Sequence, residues 1–289
     1  MKKILLMAAM LATLTACEHY EFTEETTNDK GEIVASKAFT FHLKGDFTTS
    51  FEEMTRAAVR LENDNTAGIT DIWVLDYQDG KLLQQVHQVA SDAGFGHPQM
   101  NLTYGHHDVK FIASKGTVPV LSASALSWTK VLDTFTLDYP VDVVASSNGN
   151  RAPELKRSIG GVKVVATDAV KKGTQKVSVT MKRSLSLALP TLAPSEATES
   201  ANEFSITSTQ WDKTGLSLTT YTLCDEELTT DVVVTVTGAD NAVISQFTVS
   251  GVSVKKNRIT TLTGDVFGRG NGFSVAIDDA WDEGLDIYF

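Results

Sequence analysis

Apolar residues in this chain recur mainly at every second position. Phe39, Phe41 and Leu43 alternate with Thr40, His42 and Lys44, the pattern of a half-buried strand, and Gly45-Asp46 closes it. Ile69, Ile72, Val74 and Leu75 mark a second strand over 69–77. Asp79-Gly80 then supplies two residues that tolerate positive φ, so a tight hairpin leads into a return strand over 81–89. Short strands are predicted over 102–104 and 109–113, on either side of Gly105, and an extended segment over 137–145 runs into a turn-rich stretch at 146–151. The second half repeats this grammar over 162–166, 175–189, 204–207, 216–223, 231–237 and 243–249. Gly238-Ala239-Asp240-Asn241 forms the hairpin between the last two. Alternation returns at Phe273, Val275 and Ile277, and again at Leu285, Ile287 and Phe289. Residues 48–67 and 190–202 read as loops. One segment departs from period two: Leu121, Ala125, Trp128, Leu132 and Phe135 recur at helical spacing and predict a helix over 122–135. The sum is an all-β protein of two tandem β-sandwiches with one short helix in the first.

The chain opens differently. Lys2 and Lys3 precede an apolar and small-residue run, Ile4 to Leu14, too short to span a bilayer and suited to a secretory leader. Leu14-Thr15-Ala16-Cys17 follows and resembles the lipobox of bacterial lipoproteins. That resemblance implies removal of 1–16 as a signal peptide and attachment of lipid to Cys17, whose thiolate is the nucleophile that takes the diacylglycerol. Several acyl chains anchor stably where one is marginal. Residues 17–36 are rich in Glu and Asp with little apolar pattern and read as a tether. The folded part then divides into 37–158 and 159–289. Cys224 is the only other cysteine, so a lipidated Cys17 leaves it without a disulfide partner and it reads as a small buried apolar residue.

At 289 residues, 42% hydrophobic and 21% charged, the chain can bury a substantial core without metal or disulfide staples. Its net charge of −11 argues against nucleic acid as a partner, since phosphate binding needs a basic face. Catalytic signatures are missing. His106-His107-Asp108, with His97 and His87 upstream, is the only cluster of ligand type, and neighbouring residues on a strand point to opposite faces. Gly268-Arg269-Gly270-Asn271-Gly272 is followed by a strand rather than a phosphate-holding helix, so it reads as a hairpin loop. Asp278, Asp279, Asp282, Glu283 and Asp286 read as a solvated turn around Trp281. Trp73 and Trp128 sit in apolar patterns and belong to the core. No catalytic residue, cofactor or metal site is predicted.

The order of several segments is similar to that of the fimbrillin subunits of type V pili, a grouping that includes anchor and tip subunits. The segments are the lipobox Cys17; the strand with Phe39, Phe41 and Leu43; Thr55-Arg56-Ala57; the stretch 69–81; Met181-Lys182-Arg183 leading into 184–189; Lys256-Asn257-Arg258-Ile259 leading into 260–264; and Trp281 with its short final strand. The resemblance implies transthyretin-like sandwiches, export to the outer membrane and cell surface, and assembly with other pilus subunits by strand exchange. It further implies adhesion to host or bacterial surfaces. It makes Arg56 and Arg60 candidate protease cleavage sites and the strand bearing Phe39, Phe41 and Leu43 the candidate removable strand. Leu285, Ile287 and Phe289 become the candidate donor strand. A surface glycan-binding lipoprotein of a nutrient-uptake system would share the lipobox, tether and sandwiches, and would present Trp211 and Tyr221 to sugar.

Overall fold

A computed structural model describes residues 26–27, 33–45, 68–116, 119–268 and 273–278. In chain order the strands are β1 (Thr26–Thr27), β2 (Ile33–Val34), β3 (Ser36–Phe41), β4 (Asp71–Gln78), β5 (Lys81–Val89), β6 (Gln99–Thr103), β7 (Gly105–Ser114), β8 (Val120–Leu121), β9 (Ala125–Ser127), β10 (Thr134–Val143) and β11 (Asn150–Arg151). They continue as β12 (Lys156–Arg157), β13 (Ile159–Ala166), β14 (Lys176–Arg183), β15 (Ser186–Ala188), β16 (Thr198–Ser205), β17 (Ser217–Leu223), β18 (Glu227–Thr237), β19 (Val243–Lys255), β20 (Ile259–Gly264) and β21 (Phe273–Asp278). Two single-turn 3-10 segments, Ser208–Gln210 and Ala239–Asn241, are the only helical pieces among the described residues.

In the first half a three-stranded sheet, β11-β3-β6, lies over a five-stranded sheet, β12-β10-β7-β4-β5. Phe39, Phe41, Met100 and Leu102 from the small sheet meet Ile72, Val74, Val109 and Phe111 from the large one in a single buried cluster. In the second half two four-stranded sheets, β17-β13-β20-β21 and β16-β14-β18-β19, enclose a valine-rich core that includes Val162, Val177, Val179, Val234 and Leu262. A third cluster joins the halves: Trp73, Leu75 and Tyr77 on the far face of β4 pack with Ile159, Leu187, Leu223 and Ile259. This explains why β4 is buried at every position but its last. Even-numbered residues serve the core under β3 and odd-numbered ones serve the junction, the behaviour of a strand covered on both faces.

The predicted hairpin at Asp79-Gly80 forms with φ of 51° and 75°, as its turn type demands. The hairpin between β18 and β19 likewise carries positive φ at Asp240 and Asn241.

The helix expected over 122–135 is absent. Ser122 Oγ accepts from the Ala125 N–H at 3.1 Å and donates to the Ala125 carbonyl at 2.9 Å, closing a turn where a helix would have to start. β9 then pairs with β8 and with β15 from the second half, and the Trp128 N–H donates to the Leu185 carbonyl. Leu126 and Trp128 bury at period two; the helical spacing was a coincidence of sequence. The loop expected over 190–202 is corrected at its end, where β16 pairs along β14 as an edge strand. Its sequence, Thr-Glu-Ser-Ala-Asn-Glu-Phe-Ser, is polar because only one flank of such a strand is covered.

Candidate strand-exchange site

β3 begins the first sandwich and occupies the middle of its small sheet. It runs antiparallel to β6, with Ser36 opposite Thr103 and Thr40 opposite Gln99, and parallel to the two-residue β11. Beyond Phe41 the chain stays extended and stitched on both sides. The N–H groups of Phe41 and Leu43 donate to the carbonyls of Pro98 and Gly96, while those of Thr40, His42 and Lys44 donate to Gly149, Arg151 and Pro153 at 2.7–2.9 Å. Alternate side chains enter the core: Phe39, Phe41 and Leu43 are 1%, 0% and 2% exposed. The Phe41 ring meets Phe111 edge-on at 5.0 Å and Tyr139 at 6.4 Å. Burying these three side chains contributes roughly 5–9 kcal/mol by area bookkeeping. A chain that lost β3 would therefore hold a slot with apolar walls and unpaired backbone groups on both rims.

The rim made by β6 has its own fastening. Asp76 on β4 and His107 on β7 are wholly buried beneath it, 2.7 Å apart through His107 Nδ1. The other ring nitrogen, Nε2, lies 2.9 Å from the Thr103 carbonyl. Both nitrogens thus face acceptors, which is the bonding of a doubly protonated imidazolium. Burial by itself would lower the pKa of His107, but the Asp76 carboxylate and the Thr103 carbonyl outweigh it and the value is raised. Gln84 Nε2 completes the network, donating to Asp76 Oδ2 at 3.0 Å and to the Asn101 carbonyl at 2.7 Å. β6 is thereby tied to β4, β5 and β7 independently of β3.

His106 points the other way, as strand geometry requires. It is exposed, and its Nδ1 donates to Asp142 Oδ1 at 2.8 Å, which raises its pKa. His87 stacks on Trp73 at 4.0 Å and sits 3.2 Å from Asp71. The histidines of the 87–107 stretch are therefore scattered, and no cluster of three or more metal-ligating side chains occurs among the described residues. The strand predicted over 109–113 starts earlier, at Gly105, so His107 lies inside β7, in the core. The one trace of it in the sequence is Asp76, a charge inside the otherwise apolar stretch 72–77 that calls for a partner without naming it.

In the second half the outer strands β19 and β21 border an open cleft of about 790 Å³, walled by Ile244, Phe247, Val249 and Phe273. Phe247 and Phe273 stack at 4.4 Å, and on β21 Val275 and Ile277 are exposed. Asp168 gathers the backbone N–H groups of Val266, Phe267 and Gly268 at 2.6–2.8 Å just before the glycine-rich loop. Trp211 packs against the second core and donates its ring N–H to the Thr174 carbonyl, and Tyr221 packs into the junction between the halves. Cys224 is buried. Cys17, Arg56, Arg60, Leu285, Ile287 and Phe289 lie outside the described residues.

Residues 102–287, more than half the chain, match a family of unknown function, DUF6562. The chain belongs to DUF6562. No curated protein matches it. Among solved structures, a candidate polysaccharide-binding protein (DUF1812) of Bacteroides thetaiotaomicron is similar over 84% of this chain and 96% of its own, at 10% identity and a TM-score of 0.54. A candidate adhesin of Bacteroides ovatus is similar over 87% and 98%, at 12% identity and a TM-score of 0.51. A candidate adhesin of Bacteroides thetaiotaomicron is similar over 86% and 98%, at 8% identity and a TM-score of 0.50. At these identities the DUF6562 chain shares a fold with them.

Proposed function

We propose that this DUF6562 protein is a structural subunit of a bacterial surface fimbrium, exported as a lipoprotein through Cys17 and assembled with neighbouring subunits by strand exchange, so supporting adhesion. One observation carries the reading. β3 and the extended residues after it insert Phe39, Phe41 and Leu43 fully into the core, directly upstream of the segment 46–67 that holds Arg56 and Arg60. Cutting there frees the strand covalently, and an extended segment with the same alternation can take its place by β-augmentation. Leu285, Ile287 and Phe289 have that alternation. The fold shared with two candidate adhesins supports the same reading, as does the order of fimbrillin-like segments along the sequence.

The likeness to a candidate polysaccharide-binding protein favours glycan binding as the second reading. Against it, the ring N–H of Trp211 is spent on Thr174, and Tyr221 is packed at the junction. Sugar-dependent quenching of tryptophan fluorescence would favour glycan binding; a fimbrial subunit gives none.

The deciding experiment is the intact mass and N-terminal sequence of the protein recovered from sheared surface material. A chain starting at Ala57 or Leu61 within a detergent-stable ladder is expected of a processed, polymerised subunit. A lipid-modified chain starting at Cys17 and retained with the outer membrane is expected of an uncut anchor and equally of the glycan-binding reading, and moves the question to its partners. A lipid-free chain that never enters assemblies overturns the proposal.

A further inference from the structure

His42 and His97 stand across from each other where the extended chain after β3 meets the segment leading into β6. The β3–β6 register, Thr40 opposite Gln99, continues past both strands. Phe41 N–H donates to the Pro98 carbonyl at 3.0 Å and Leu43 N–H to the Gly96 carbonyl at 3.1 Å. His42 and His97 therefore form the intervening non-hydrogen-bonded pair, the position at which facing side chains approach most closely. Phe41 and Leu43 point into the core, so both rings stand on the outer face and are exposed. Their Nδ1 atoms are 3.0 Å apart, with ring centres 4.9 Å apart.

We propose that His42 and His97 form a two-histidine chelate for a divalent late transition-metal ion of the Cu²⁺, Ni²⁺ and Zn²⁺ class. At a metal–nitrogen distance of about 2.0–2.1 Å, two ligands at adjacent corners of a square or octahedron are about 2.9 Å apart, and about 3.3 Å apart in a tetrahedron. The observed separation falls at the first value and is a small ring rotation from the second. Imidazole nitrogen suits all three ions. The backbone under the pair is already fixed: His42 N–H is bound to Arg151, His97 N–H to Gly94, and Gly96 N–H to the Gln88 side chain. Little ordering remains to oppose binding. Among the described residues no third side chain of ligand type joins the pair, so water fills the remaining positions.

Such an ion staples the strand after β3 to the rim of its own slot. Metal binding stands on the register alone; its consequence, slower strand release, rests on the strand-exchange reading. The test titrates the full chain with Cu²⁺ and with Zn²⁺ by calorimetry, and follows thermal unfolding with metal and with chelator. One ion per chain is expected. At free metal a hundred times Kd the folded-to-unfolded ratio rises about a hundredfold. His42→Ala and His97→Ala each abolish this, while His106→Ala, which removes an exposed histidine paired with Asp142 instead, leaves it intact. Absence of binding overturns the proposal, and so does binding that survives His42→Ala and His97→Ala. A loss of metal-free stability in these variants without any metal effect assigns the pair to a plain hydrogen bond and also overturns it.

A second readout separates the two levels. After cleavage by an arginine-specific protease, the fragment carrying β3 is displaced by an excess of a peptide spanning 285–289. Slower displacement with metal supports the clasp. Unchanged displacement in a chain that binds the ion overturns the clasp but not the site. A strand never displaced under any condition counts against strand exchange instead.

Discussion

The most consequential single side chain is His107, because its charge is bound to Asp76 in a place water does not reach. Removing one partner of such a pair leaves the other uncompensated and costs about 3–5 kcal/mol. His107→Gln keeps the shape but not the charge, and is expected to lower the unfolding free energy measured by urea titration at pH 6 by that amount. The pH dependence has a defined sign. Folded His107 holds its proton more tightly than the unfolded chain, whose histidines titrate near about 6.5. The stability it supplies is complete below that value and is lost as pH rises through the raised folded pKa. Wild-type unfolding followed from pH 6 to 8 should show a falling midpoint, and His107→Gln a shallower fall. His106, raised by its exposed contact with Asp142, adds to the slope in the same direction, and His106→Ala makes the fall shallower. Cys224 offers a separate check. Burial, with the nearby Asp225 charge, pushes its thiol up to about 11, so it stays protonated at neutral pH. Iodoacetamide is expected to modify it slowly in the native chain and at the rate of a free thiol in urea.

At the scale of elements, β3 depends on a close approach that only glycine permits. A Cβ on Gly149 would lie 2.3 Å from the Ala38 carbonyl oxygen, so Gly149→Val must push the β11 segment off β3. The N–H groups of Thr40 and His42, which donate to Gly149 and Arg151, should then exchange hydrogen at least tenfold faster, while those of Phe41 and Leu43 on the β6 side are less affected. An unchanged pattern would show that β11 contributes nothing to holding the strand. β3 itself was legible in the sequence because it has one wet face and one dry face, which writes Phe39, Phe41 and Leu43 at period two. The hairpins at Asp79-Gly80 and 238–241 were legible because few residue types accept their backbone angles. The 122–135 segment was misread because its partners are distant: β9 is a strand by virtue of Ser186–Ala188, some sixty residues on, and no local period reports that. Of β16 only the end at 204–205 was predicted, because an edge strand needs no apolar pattern along its length. Of the candidate site, the inward residues were visible. The parallel partner β11 and the Asp76–His107–Gln84 fastening were not, since both arise from strands brought together by topology.

At the scale of the whole molecule, the two halves meet through an apolar junction rather than a linker. Leu187 is wholly buried there among Trp73, Leu126 and Trp128 from the first half and Ile159, Leu223 and Ile259 from the second. Beside it, Arg157 forms a two-pronged pair with Asp133 at 2.6 and 3.0 Å and reaches Asn257 at 3.2 Å, so a charged bond crosses the same boundary. A junction of this kind makes the halves unfold together. Leu187→Ala should cost about 2–5 kcal/mol, the range for truncating a buried leucine. Its signature is cooperative. If the halves are one unit, both the fluorescence of Trp73 and Trp128 and the hydrogen exchange of Val179 and Val234, deep in the second core, should report the same lowered midpoint. If the halves are independent, the tryptophan signal moves and the second core keeps its stability. The outcome bears on assembly: the slot left by β3 is floored by the five-stranded sheet, whose far face is the junction. A fibre built by replacing β3 would carry load from one subunit to the next through Phe41 and Phe111 into β4 and β7, and on through Trp73 and Leu187 into the second sandwich. Leu187→Ala should then weaken isolated subunits and shorten the detergent-stable ladder alike, although the substitution lies on the opposite face of the sheet from the exchanged strand.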